Sequence, residues 1–346
     1  MRVSLAKSTR SFSVAPDQPV LDAALDAGLN LPHSCKGGNC GACRARLLGG
    51  MVHYPNGRPL GLSDAEVAEG LILLCQARAR TDLVIDTVEV STPEDAIIKR
   101  LPSRIDRTER LSHDVLGVYL RLPAAEPFRF EPGQYIDILL SGGRRRSFSI
   151  ASPPHDSRPL ELHVRRVPGG ELTEELFAER TRSSLLRIEG PLGRFVYRQN
   201  AGAPMLLVGG GTGLAPLKSI VRHVLDNGLR RDMILYWGVR SERDLYAHTE
   251  LEDFSRRAAN FRYVPVLSEP GAAWSGRRGW VHEAVLNDFA TLDPFDVYAS
   301  GPPAMITALR RDFRERGAAD ERLYFDSFDY APDTLERQRT TAATKS

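Results

Sequence analysis

The alternation of apolar and polar residues changes character twice along the chain and divides it into three segments. From Met1 to about Thr92, short apolar runs such as Leu71-Ile72-Leu73-Leu74 and Leu83-Val84-Ile85 predict strands. Arg44 to Leu48 reads as a further strand and Val20 to Gly28 as a helix, so residues 1–92 predict a small α+β domain. Between about Ser103 and Asn200 the runs are short, as in Gly117 to Leu122 and Tyr135 to Leu140, and are punctuated by Gly and Pro. Half-buried strands joined by frequent turns predict an antiparallel β-barrel or sandwich over residues 103–200. From Pro204 onward apolar strands alternate with longer helical stretches. Met205 to Val208, a helix over Ala215 to Asn227, Met233 to Gly238, another helix, and Val297 to Ala299 follow in turn, with Tyr324 to Phe328 as a last strand. That order predicts an α/β domain over residues 201–333, built on a helix-covered parallel sheet.

Pro93-Glu94-Asp95 and Leu101-Pro102 bracket a predicted linker over residues 93–102, since proline interrupts either regular element. Residues 334–346 form a polar tail too poor in apolar side chains to pack.

Composition narrows the function classes. A chain of 346 residues accommodates two or three domains, each with its own core. With 46 basic and 44 acidic side chains there is no global charge that would favour nucleic acid. No apolar run is long enough to span a membrane, and the N-terminus lacks the basic-then-apolar pattern of a secretion signal. The expectation is a cytoplasmic protein with no nucleic-acid partner and no membrane span.

The chain has four cysteines, Cys35, Cys40, Cys43 and Cys75, in the C-x4-C-x2-C...C spacing of a plant-type [2Fe-2S] centre. Gly37, Gly38 and Gly41 lie between and beside the first three. They let the backbone wrap a cluster and bring amide groups near sulfur. A zinc site would more often pair two short C-x2-C knuckles, and a disulfide framework belongs to short secreted chains. All four residues are therefore assigned as metal ligands.

The second segment carries Arg144-Arg145-Arg146-Ser147-Phe148-Ser149. A basic turn beside a strand has the same composition. The order R-x-aromatic-S also has a chemical use: Arg146 can pair with a phosphate, Phe148 can stack on a flat heterocycle, and Ser149 can hydrogen-bond a ring nitrogen. Ser147 lies inside that run. Gly169-Gly170-Glu171-Leu172-Thr173 opens a helix and offers bare amide groups to a pyrophosphate, with Thr173 beside them. The strand His163-Val164-Arg165 offers backbone contacts to a ring and a charge to its phosphate arm. In the third segment Gly209-Gly210-Gly211-Thr212-Gly213 joins an apolar strand to a helix, a setting in which backbone amides approach a pyrophosphate. Tight strand-to-helix turns use glycine for packing as well. Gly301-Pro302 ends a later strand and would line the same edge of the sheet, where open α/β sheets bind ligands.

Taken in order, the cysteine loop, Arg146-x-Phe148-Ser149, Gly169-Gly170, Gly190-Pro191-Leu192-Gly193, Gly209 to Gly213 and Ser300-Gly301-Pro302-Pro303 resemble the ferredoxin-NADP reductase superfamily. Within it, the chain is similar over about residues 1 to 330 to three-domain NADH-dependent reductases with an N-terminal ferredoxin domain. These include reductase components of bacterial oxygenases and the reductase of the CDP-6-deoxyhexulose 3-dehydrase system. The resemblance implies FAD in the barrel and a nicotinamide dinucleotide on the parallel sheet, with NADH favoured over NADPH. It also implies that Ser149 stands near the flavin nitrogen that accepts hydride, which makes Ser149 the catalytic candidate. Two positions depart from the family pattern. Phe148 stands where the flavin-stacking residue is commonly Tyr, and Ala299 stands where many members carry Cys. The family's chain end often covers the flavin, so Phe328 or Tyr330 could shield the ring, although Phe328 suits an ordinary core role equally.

The selection of NADH or NADPH falls to residues 239–244, where Arg240 and Arg243 suit a 2'-phosphate and Glu242 or Asp244 a free 2'-hydroxyl. The implied activity is electron transfer from NADH through FAD to the [2Fe-2S] cluster, and on to a partner protein such as an oxygenase or dehydrase component. A free-standing NADH reductase of small quinones, flavins or ferric complexes is the alternative, and a redox-sensing binding protein is a third class. Through Thr92 the chain has nine basic and nine acidic residues, yet Lys36, Arg44, Arg46, Arg78 and Arg80 all lie within five positions of a cysteine. They predict a basic rim facing an acidic docking surface on the partner, unless they are simply a solvated strand face.

Overall fold

The computed structural model describes residues 1–34, 36–89, 98–156, 159–178, 184–199 and 202–328. Two compact units are present, Met1–Glu94 with Phe325–Phe328, and a larger one from Asp95 to Tyr324.

The smaller unit contains β1 (Arg2–Leu5), β2 (Ser11–Ser13), α1 (Val20–Asp26), β3 (Arg44–Gly49), β4 (Val52–His53), α2 (Asp64–Ala68), β5 (Leu71–Leu73), β6 (Arg78–Ala79) and β7 (Leu83–Asp86). Its main sheet runs β2-β1-β7-β3-β5, with β1 and β7 parallel and the other neighbours antiparallel. Alternation decides the faces: Leu83 and Ile85 are buried and Val84 between them is exposed. They pack with Val3, Leu5, Leu21, Leu73 and Leu74 into one core under α1. The helix stops at Asp26, short of the predicted Gly28, because Gly28 takes a φ of 73° that a continuing helix does not allow.

In the larger unit β8 (Lys99–Arg110), β9 (Val115–Arg121), β10 (Tyr135–Leu139), β11 (Arg145–Ser149), β12 (Leu160–Arg165), α3 (Glu171–Phe177) and β13 (Leu185–Leu192) come first. The six strands form an antiparallel sheet in the order β11-β10-β13-β8-β9-β12. An antiparallel bridge between Ile150 and Leu162 joins its two ends and closes the barrel. Ile105, Val118, Ile136, Ile138, Ile150, Leu162, Val164 and Ile188 fill the interior together with Leu172 and Leu176 of α3. Residues 99–102, read from the sequence as linker, instead begin β8. Pro102 is tolerated there because it pairs with Arg187 on one side while β9 joins the other side only from Arg104. Ile98 precedes β8 outside any strand, and residues 93–97 lie outside the described residues.

The remaining elements are β14 (Met205–Gly210), α4 (Leu214–Asp226), β15 (Met233–Val239), α5 (His248–Arg257), β16 (Phe261–Leu267), β17 (Arg277–Arg278), α6 (Val281–Asp288), β18 (Asp296–Gly301), α7 (Pro303–Glu315) and β19 (Leu323–Ser327), whose residues from Phe325 on group with the smaller unit. Strand order is β17-β16-β15-β14-β18-β19, with β14 parallel to β15 and β18, and β15 parallel to β16. Helices cover both faces, so Met205 to Val208 are wholly buried and read as a continuous apolar run rather than an alternating one.

Candidate cofactor sites

Cys35 lies outside the described residues; Cys40, Cys43 and Cys75 are buried. The Ala42 amide donates to Cys40 Sγ at 3.5 Å. Leu74 N donates to Cys43 O at 3.1 Å, which ties the strand before Cys75 to the short loop. Lys36 is one of two described non-glycine residues at positive φ (54°), held by Gln76 Nε2 donating to its carbonyl at 2.8 Å. The segment beyond β4 presses directly on this loop. Gly61 N donates to Gly38 O at 2.8 Å, and a Cβ on Gly61 would stand 2.7 Å from that oxygen. Buried thiols wrapped by backbone with an amide aimed at sulfur are a donor set that fits a [2Fe-2S] group.

Arg44 has a role the sequence did not show. Its guanidinium donates to Gly41 O at 3.0 Å and Gly61 O at 2.6 Å, and its Nε lies 2.7 Å from Glu66 Oε1. It straps the two loops together. Glu66 is itself placed by a capping box with Ser63 at the start of α2, a Ser-x-x-Glu signal that is visible in the sequence. Arg46 lies 3.8 Å from Glu69, so two of the five residues assigned to a basic rim are paired with acids.

On β11, register against β10 sets Phe148 opposite Ile136 and Ser149 opposite Tyr135. Arg146 and Phe148 share one face and are half-buried; Ser147 is exposed, and Ser149, the last residue of the strand, is buried. The neighbouring arginines are each engaged by a carboxylate. Arg144 pairs with Glu171 at 2.5 Å, and Arg145 pairs with the buried Glu189 and lies 3.7 Å from Asp137. Ser147 Oγ donates to Asp137 Oδ1 at 2.6 Å. Gly169 has a φ of 76°, Gly170 caps α3, and Thr173 Oγ1 donates back to Val167 O at 3.2 Å, which holds the turn. A half-buried ring and guanidinium on one strand face, with a buried hydroxyl at the strand end, fit a flavin nucleotide.

Three neighbouring positions of β12 have different surroundings. Val164 is in the barrel interior. The His163 side chain is buried on the outer face, bonded to Glu161 and Tyr246 at 3.0 Å each. Arg165 reaches the third segment: its Nη1 would be 3.1 Å from a Cβ on Gly211, and its Nε is 3.2 Å from Asp114 Oδ2. Phe328 is half-buried and groups with the smaller unit; Tyr330 lies outside the described residues.

Gly209 and Gly210 end β14, and Gly211-Thr212-Gly213 forms a single 3-10 turn into α4. β18 runs beside β14 and ends at Gly301, and Pro302 caps α7. The two turns are so close that a Cβ on Gly213 would lie 2.1 Å from Ser300 O, and one on Gly210 would lie 3.0 Å from Pro302 Cδ. Bare backbone at the carboxyl edge of a parallel sheet, at a helix start, fits a dinucleotide pyrophosphate. Behind it Trp237 Nε1 donates to Gly211 O at 2.9 Å. After β15, Asp244 is buried and accepts from Ser241 N and Oγ at 2.9 Å, while Glu242 accepts from Gly271 N at 3.1 Å. Both acids that suited a ribose hydroxyl thus have structural partners, and Arg240 and Arg243 are exposed.

Ligated iron exchanges single electrons, whereas a nicotinamide exchanges a hydride, and a flavin works in both modes. A chain that builds a fitting site for each belongs to the electron-transferring oxidoreductases. Three domain families match along it: the 2Fe-2S iron-sulfur cluster binding domain over residues 3–80, the oxidoreductase FAD-binding domain over 102–197 and the oxidoreductase NAD-binding domain over 207–311. Protein RfbI of Salmonella typhimurium is 38% identical over 94% of this chain and 96% of its own length. The CDP-6-deoxy-L-threo-D-glycero-4-hexulose-3-dehydrase reductase of Yersinia pestis is 37% identical over 95% and 98% respectively. The reductase component 2 of terephthalate 1,2-dioxygenase from a Comamonas species is 32% identical over 96% and 98%. The crystal structure of the Amycolatopsis cytochrome P450 reductase GcoB matches with a TM-score of 0.77 and 35% identity, covering 94% of this chain and 98% of that one. The chain therefore belongs to the three-domain iron-sulfur flavoprotein reductases of the ferredoxin-NADP reductase superfamily.

Proposed function

We propose that this reductase takes electrons from NADH and delivers them to a separate enzyme component, a dehydrase acting on a nucleotide-linked deoxyhexulose or an oxygenase. The 37% identity to a dehydrase reductase, against 35% to a cytochrome P450 reductase and 32% to a dioxygenase reductase, favours the dehydrase by a narrow margin. The observation that carries the reading is the buried set Cys40, Cys43 and Cys75 in one chain with FAD-binding and NAD-binding domains. When bound, FAD converts a hydride pair into single electrons and the cluster provides their exit.

Within this reading Arg146 holds a flavin phosphate, Phe148 covers one ring face, and Ser149 hydrogen-bonds the ring. Gly169, Gly170 and Thr173 shape the turn beside the pyrophosphate, and His163 and Val164 contribute backbone. Gly209 to Gly213, Gly301 and Pro302 receive the nicotinamide dinucleotide. Arg165, beside Gly211, serves that second pyrophosphate in preference to the flavin's own. Replacing Ser149→Ala is expected to slow flavin reduction by about 10- to 100-fold with flavin content unchanged, as loss of a positioned hydrogen bond would. Stopped-flow absorbance checks this, and an unchanged rate removes Ser149 from the chemistry.

An acidic docking face on the partner belongs to the same proposal, with little charge to support it. Arg44 and Arg46 are paired; of the other three, Arg80 is exposed, and Lys36 and Arg78 are half-buried. Transfer to the partner should fall only a few-fold from low to high salt; a flat response excludes the acidic face. A cytoplasmic setting is supported by the use of thiols as metal ligands. No helix among the described residues is long and apolar enough to cross a membrane. The whole reading is tested by anaerobic titration with NADH, following flavin bleaching by absorbance and the cluster by electron paramagnetic resonance. Reduction of both centres supports it, and a flavin that reduces with no cluster signal overturns it.

A further inference from the structure

A line of buried polar side chains lies behind the glycine-rich loop, and cofactor binding leaves it unexplained. Lys218, 6% exposed, is in the second turn of α4. Its Nζ donates to Glu161 Oε1 of β12 at 3.0 Å and to Glu250 Oε2 of α5 at 2.9 Å. The same Glu161 oxygen accepts from His163 Nε2 at 3.0 Å, because a carboxylate can only accept. His163 Nδ1 is then free to accept from the Tyr246 hydroxyl, 3.0 Å away. Burial pushes the Tyr246 phenol far up, so it keeps the proton it donates. Tyr246 stands edge-on to both His163 and Trp237, with ring centroids 5.2 and 5.0 Å apart, and the Trp237 indole holds Gly211 O. Along β12, Leu162 and Val164 fill the barrel while Glu161 and His163 face outward, to α4 and to the segment before α5.

Burial opposes charge on both ends of the Lys218–Glu161 pair. Even so, His163 and Lys218 hold the Glu161 carboxyl well below the usual carboxylate range, and Glu161 and Glu250 raise Lys218. Apolar residues of similar volume would join the two surfaces at least as firmly, so adhesion alone does not account for buried charges. Directional bonds add register. We propose that Lys218, Glu161, His163, Tyr246 and Trp237 form a positioning line that registers the glycine-rich loop against barrel strand β12, and so sets the approach of the nicotinamide to the flavin. The inference rests on the cofactor placement proposed above.

Tyr246→Phe removes one hydroxyl and keeps the ring, and Lys218→Met removes the charge. For wild type, each variant and the double variant, two quantities are measured. One is the limiting rate of flavin reduction and its half-saturating NADH concentration. The other is hydrogen exchange of residues 209–214 in NADH-free protein. In Tyr246→Phe the limiting rate should fall about 10-fold with half-saturation shifted less than about 3-fold, and loop amides should exchange faster at full flavin content. The double variant should be no slower than Lys218→Met, because both break one line. Unchanged rate and exchange in Tyr246→Phe overturn the proposal, as do losses that multiply independently or a lowered melting temperature alone. If Lys218→Met does not fold, Tyr246→Phe alone decides. A wild-type flavin that NADH fails to reduce overturns the cofactor placement itself, a failure distinct from a silent variant.

Discussion

Cys75→Ser is expected to stop electrons at the flavin: NADH still bleaches it, while delivery to a protein acceptor falls by at least about 100-fold. Outer-shell substitutions around metals commonly cost about 10- to 100-fold in affinity or activity, and loss of a ligand costs more. Cys75 lies in a part of the small core with no slack, between the wholly buried Leu74 and Ala77. Gln76, next in sequence, holds the Lys36 carbonyl, so disturbing this strand end also disturbs the loop that carries Cys40 and Cys43. The measurement compares ferricyanide, which accepts from flavin, with cytochrome c as protein acceptor, and records the cluster signal of dithionite-reduced protein. A persistent cluster signal with undiminished cytochrome c reduction would remove Cys75 from the ligand set.

Gly213→Ala should damage the nicotinamide half and spare the barrel. Gly213 has φ of −59°, which any residue adopts, so the cost is steric alone. The new carbon would stand 2.1 Å from Ser300 O and 2.9 Å from Gly301 N, both backbone atoms of the adjoining turn. Two backbone segments cannot swing aside as a side chain would, and overpacking of this kind costs about 3 kcal/mol. The expected result is a lowered denaturation midpoint, retained FAD and a weakened response to NADH. Gly202→Ala is the control, since its added carbon meets nothing within 4 Å. Equal stability of the two variants would show that the turns move apart easily, and that the close contact of β14 and β18 does not shape the site.

Much of the fold was legible because its signals are local. Period-two alternation placed β10, continuous apolar runs placed β7, β14 and β15, and alternating strand and helix after Pro204 implied the parallel sheet. The boundary errors are also local in cause. Pro102 reads as a breaker until the partner strands show that it stands where β9 has not yet begun to pair. Phe148 and Arg146 were legible as a pair two residues apart, but that their run is itself a strand came only from its pairing with β10. The confinement of Arg144 and Arg145 was not, because Glu171 and Glu189 are distant in sequence.

By itself the sequence determined the three-segment order, the C-x4-C-x2-C spacing and the glycine turns, since each is a property of spacing along a short stretch of chain, whereas Cys75 is tied to the short loop only by the fold, through Leu74 N donating to Cys43 O. Which side chains support those loops was decided only in three dimensions. Arg44, one of the basic residues near the cysteines, became a strap between two cluster-side loops; Lys218, inside a helix that the sequence predicted, is a buried bridge to Glu161 and Glu250. The physical reason is that an ion pair or hydrogen bond depends on separation in space and on burial. Neither is carried by local pattern when the partners lie tens of residues apart.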